Sequence, residues 1–67
     1  MIAHLKGKLD YKSPEHSILD VNGVGYKVFT PLSTYYALPQ LGESVSLRIH
    51  TRVREDDLKL FGFLTEE

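Results

Sequence analysis

Glu55, Asp56 and Asp57 form the densest group of titratable side chains in the sequence, three acids in succession between Arg54 and Leu58. Carboxylates so placed can repel phosphate, share a divalent metal with other ligands, or divide acid and base roles in hydrolysis. The last two need convergence. Here the acids are adjacent in what reads as a turn, and no other acids stand at matching positions. His4, His16 and His50 are far apart in sequence, and without cysteine there is no thiolate for zinc or redox chemistry. Ser17, His50 and Asp20 make a triad only if residues are chosen freely. The chain also has neither a Gly-x-Ser-x-Gly elbow nor a Gly-x-x-x-x-Gly-Lys-Ser/Thr loop. A divalent-metal nuclease survives as a third reading only because the acids exist. What remains is a solvated hairpin tip, the commoner use of acids at a turn, or a point that repels phosphate. Arg48, Arg52 and Arg54 share a face beside it and could contact a DNA backbone, Arg54 foremost, pair with the acids, or simply form an exposed polar strand face.

The elements around the cluster must place it at a hairpin tip. Val45, Leu47, Ile49, Thr51 and Val53 alternate with Ser46, Arg48, His50, Arg52 and Arg54. That two-residue period puts an apolar row and a basic-polar row on opposite faces of a strand. Leu58 to Phe63 restarts an apolar, aromatic run, so the acids are expected at a short, exposed protrusion. Ala3, Leu5, Gly7, Leu9 and Tyr11 alternate with His4, Lys6, Lys8 and Asp10, giving a first strand with Tyr11 on its buried row. Ser13-Pro14-Glu15 turns into a strand from Ser17 to Val21, and Asn22-Gly23 suits a type I′ turn returning as a strand from Gly25 to Thr30. Between Pro31 and Pro39 the strand pattern breaks, and a Ser or Thr cap predicts roughly one helical turn. Gly42-Glu43 leads into the strand from Ser44 to Arg54. Gly7, Gly23, Gly25 and Gly62 fall where bends or bulges help a small sheet close.

Composition narrows the class. A chain of 67 residues is one small domain whose core is marginal without a partner or oligomer. Formal net charge is −1, so bulk electrostatics would not hold it to nucleic acid and any DNA contact must be local. Glu66-Glu67 add to the negative charge near the end. No leader pattern opens the chain, and no run approaches the ~18 apolar residues of a membrane span, so a soluble, cytoplasmic protein with no membrane association is expected. The expected fold is all-β: a small five-stranded antiparallel Greek-key barrel of the oligonucleotide-binding type (OB-fold), with one short helical insert between strands 3 and 4. An SH3-like barrel is the nearest competitor, and the long first strand and the insert favour the former. Tyr35 and Tyr36 are expected to plug a barrel end, and Phe61, Phe63 and Phe29 to serve the core or a subunit contact.

Five motifs in register extend the reading. Ile2 with Leu5-Lys6-Gly7, Asp20 to Tyr26, Pro31 to Pro39, Val53-Arg54-Glu55-Asp56 and Leu60-Phe61-Gly62-Phe63 resemble, in order and spacing, the N-terminal domain of bacterial RuvA subunits. The resemblance implies the DNA-binding, oligomerising, non-catalytic module of a subunit that recognises four-way (Holliday) junctions during branch migration in recombination, repair and the SOS response. It implies an acidic pin, Glu55 and Asp56, at the crossover of a homotetramer. Asp57 departs from the family pattern, where a small or neutral residue is expected, and would alter the charge of the pin. The resemblance further implies a RuvB-type ATPase motor and a RuvC-type resolvase as partners through the full-length complex, with no cofactor. Residues 1–64 would form the barrel and 65–67 begin a linker to a helix-hairpin-helix domain absent from the chain, so that the chain alone binds junctions weakly. A structural or protein-interaction barrel, its acidic tip meeting a basic partner, is the alternative.

Overall fold

The computed structural model describes residues 1–64. The expectation for 65–67, and the acids Glu66 and Glu67, lie outside the described residues. Five strands and one helix occur in the order β1 (His4–Lys12), β2 (His16–Val21), β3 (Val24–Phe29), α1 (Leu32–Ala37), β4 (Ser44–Val53) and β5 (Leu58–Leu64). They close a barrel in the order β1-β2-β3-β5-β4, with β4 returning to β1, consistent with an OB-fold. The sheet is mixed rather than wholly antiparallel. β3 and β5 run parallel, with Val28 beside Leu60 and Phe29 beside Phe61. An antiparallel hairpin can be joined by two residues, whereas these two strands are separated by α1 and β4 and meet only when the barrel closes.

Alternation builds the interior. Leu5 and Leu9 of β1, Leu19 of β2, Val28 of β3, Val45, Leu47 and Ile49 of β4 and Leu60 of β5 point inward, with Leu38 closing the core beyond α1. Two glycines permit the close approach. A Cβ on Gly7 would stand 2.6 Å from the carbonyl oxygen of Asp20, and one on Gly62 would stand 2.5 Å from Val28 Cγ1. The β2–β3 turn obeys its sequence: Asn22 and Gly23 take φ of 54° and 88°, and Val21 pairs directly with Val24.

Three local expectations fail for identifiable reasons. The register between β1 and β2 slips between Leu9 and Tyr11, so that Tyr11 pairs with Ile18 on the outer face. A bulge adds one residue and re-aims the side chains beyond it, and Tyr11 is 45% exposed rather than buried. The helix is capped by Pro31, with no side-chain cap hydrogen bond, so neither Ser33 nor Thr34 begins it. Pro31 stands just outside the helix in an extended conformation, and its carbonyl accepts the first helical hydrogen bond from the Tyr35 amide at 3.0 Å. Of the two tyrosines expected to plug the barrel, Tyr35 packs against the core while Tyr36 is 74% exposed.

Candidate nucleic-acid interface

The β4–β5 hairpin carries the acidic cluster. Val53 pairs with Leu58, and between them Arg54 to Asp57 form a four-residue loop. The Arg54 amide donates to the Asp57 carbonyl at 2.8 Å, which closes the loop and turns its side chains outward. Arg54, Glu55, Asp56 and Asp57 are all exposed. The stem beneath is held from one side. Ile2 clasps Thr51, its amide donating to Thr51 Oγ1 at 3.2 Å while the hydroxyl donates to the Ile2 carbonyl at 2.7 Å. On the other side β3 joins β5 at Leu60 and Phe61. The outer two pairs, Arg52 with Lys59 and Val53 with Leu58, lie beyond the β3 pairing and project.

The three candidate arginines part company. Arg48 and Arg52 share the outer face of β4, but Arg54 leaves the strand and belongs to the loop. Arg48 is exposed, opposite His4 on one side and Phe63 on the other. Arg52 lies across the Phe61 ring, guanidinium carbon to centroid 5.0 Å, and its Nε is shielded without a hydrogen-bond partner among the described residues. Phe61 and Phe63 point outward, since Leu60 and Gly62 take the buried row, so neither belongs to the core. Phe29 does lie near Phe61, at 5.9 Å between centroids.

Lys27 and Lys59 did not stand out in the sequence. Their ammonium groups lie 5.3 Å and 5.4 Å from the Phe29 centroid. The signal was a repeated triplet, Lys27-Val28-Phe29 and Lys59-Leu60-Phe61, whose outer residues share one face of a strand. Parallel pairing sets the two triplets side by side.

Comparison with known proteins bears on what such a hairpin does. The family described as "RuvA N terminal domain" matches residues 1–62. The chain belongs to the RuvA N-terminal domain family. It is 63% identical over 67 residues to the "Holliday junction branch migration complex subunit RuvA" of Geobacter sp. (strain M21), covering all of this chain and 34% of the relative. The RuvA subunit of Geotalea daltonii is 64% identical over the same span and share, and that of Syntrophobacter fumaroxidans is 54% identical over 97% of this chain and 33% of the relative. The chain thus spans about a third of the length of these curated RuvA relatives. Among the described residues no helix is long and apolar enough to cross a membrane.

Proposed function

We propose that the chain is the DNA-binding and oligomerisation module of a junction-recognising RuvA subunit, with Glu55 and Asp56 as a pin at the strand crossover and Asp57 adding to its charge. The projection of an exposed acidic loop beyond the barrel wall carries this reading. In a homotetramer four such loops would gather about eight carboxylates near the crossover, where repulsion of phosphate discourages strands from re-pairing across the centre and directs them into separate arms. The tip separates strands and catalyses nothing. Arg54, at the root of the loop, is placed to take a phosphate that the acids turn aside; Arg48 lies farther along the wall. Residues 1–64 form the barrel of a longer cytoplasmic subunit, in which a further linker leads to a helix-hairpin-helix domain that supplies most of the backbone grip. The ATPase belongs to a RuvB-type partner, and a RuvC-type resolvase acts on the same complex.

The test is Glu55→Gln with Asp56→Asn in a subunit of the relatives' length. Junction binding should tighten and lose selectivity over duplex, with branch migration altered. Unchanged junction selectivity together with loss of a protein partner would move the tip to the interaction-barrel alternative.

A further inference from the structure

The outer wall of the barrel carries an ordered arrangement that the acidic tip does not explain. His16 of β2, Phe29 of β3 and Phe61 of β5 stand directly across from one another in the ladder, with ring centroids 6.1 Å and 5.9 Å apart. Tyr11 extends the row, 5.3 Å from His16, because the bulge after Leu9 turns it outward. One step toward the hairpin tip runs a second row: Lys27, Lys59 and Arg52, the last two directly paired. An aromatic row and a cationic row therefore cross the strands in parallel, and every cation of the second lies over a ring of the first.

We infer that this wall binds an unpaired nucleic-acid strand, with bases stacked on His16, Phe29 and Phe61 and phosphates along Lys27, Lys59 and Arg52. Stacking on aromatic faces beside a cationic track is the chemistry of sequence-tolerant single-strand binding. The spacing selects an unpaired strand. Successive phosphates of one duplex strand rise about 3.4 Å, whereas the rings stand near 6 Å apart, so a strand engaging successive rings must be stretched beyond its duplex rise. Duplex bases, moreover, present edges rather than faces. The lysines that cover Phe29 are tethered by flexible stems, so they can exchange the ring for a phosphate and uncover the face for a base. Charge order fixes the strand's position across the wall: the acids at the tip repel phosphate, and the cationic row lies between them and the rings. This inference goes beyond the junction reading, since it stands on the wall and not on the tip.

The experiment is a titration of the 67-residue chain into a short fluorescein-labelled oligo-dT at low salt, monitored by anisotropy. Saturable binding is expected, with a log–log salt slope of about −2 for three phosphate contacts. An abasic oligomer of the same length should bind at least about tenfold more weakly, and Phe29→Leu with Phe61→Leu, which keeps apolar volume but removes the rings, should lose at least about tenfold. In the wild-type chain the ring protons of Phe29 and Phe61 should shift upfield on adding oligo-dT, which reads the stack even if the double variant fails to fold. Equal affinity for the abasic oligomer, ring protons that do not move, or no binding at low salt would each overturn the inference. So would self-association that buries Phe29 and Phe61 and excludes oligo-dT, which would give the wall to a second copy. Because the probe is unbranched, failure of the tip at a junction leaves this result standing, and the reverse holds.

Discussion

Within one strand, β4 shows two regimes. Val45, Leu47 and Ile49 are buried, while Val53, on the same inward row, is 69% exposed and faces Leu58 at 58%. The residue types and their period are the same. The difference is what flanks them: β1 runs beside β4 as far as Arg48, and β3 joins β5 only at Leu60 and Phe61. Beyond those pairings the apolar row has no opposing layer, so it contributes strand geometry without core. The wall supplies stability, and the projecting end is left to carry charges that would be costly inside it.

Substitutions in the two regions should therefore separate widely in stability. Leu19→Ala, at a wholly buried wall position, should cost about 2–5 kcal/mol and lower Tm by about 10 °C or more in a circular-dichroism melt. A cost below about 1 kcal/mol would remove the wall from the core. Gly7→Ala and Gly62→Ala should each cost about 1–3 kcal/mol by overpacking, Gly7→Ala the more because it meets a backbone carbonyl rather than a side chain; denaturant midpoints would rank them. Ser17→Ala should act in the opposite direction. Its hydroxyl is fully buried without a partner among the described residues, so its removal should stabilise by about 1 kcal/mol, visible as a raised urea midpoint at constant slope. At the tip, Glu55→Gln with Asp56→Asn should change stability by no more than about 0.5 kcal/mol. A larger change in the melt would mean that the acids hold the hairpin together.

The sequence made legible whatever is encoded within a few residues. Asn22-Gly23 specifies its turn because only such a pair tolerates two successive positive φ values, and the alternation of β4 displays its inner and outer faces directly. The acidic loop was visible for the same reason, as a break between two alternating runs. What stayed hidden depends on partners distant in sequence. The slip after Leu9 arises from pairing with β2 and leaves no mark in β1 alone, so simple alternation puts Tyr11 on the wrong row. The parallel seam was hidden too, since nothing in Leu58 to Leu64 states that its second neighbour is β3. The alignment of the aromatic and cationic rows is hidden with it: Arg52, Phe29 and Phe61 stand out singly, but each strand supplies one or two members, and only the seam lines them up.

That seam also bears on how the chain reaches its fold. β1, β2 and β3 are joined by short turns, and so are β4 and β5, giving two locally wired halves. Among the described residues their strands pair along two lines, His4 to Lys8 against Ser44 to Arg48 and Val28-Phe29 against Leu60-Phe61, and their apolar rows share one core. Hairpins form in about 1–10 μs, but contacts between segments so distant in sequence must first overcome loop-closure entropy. The rate-limiting event in folding should be the docking of one half onto the other. Until that happens the two lysine–phenylalanine triplets belong to separate pieces of an unfinished molecule, and the wall they build together is among the last surfaces to exist.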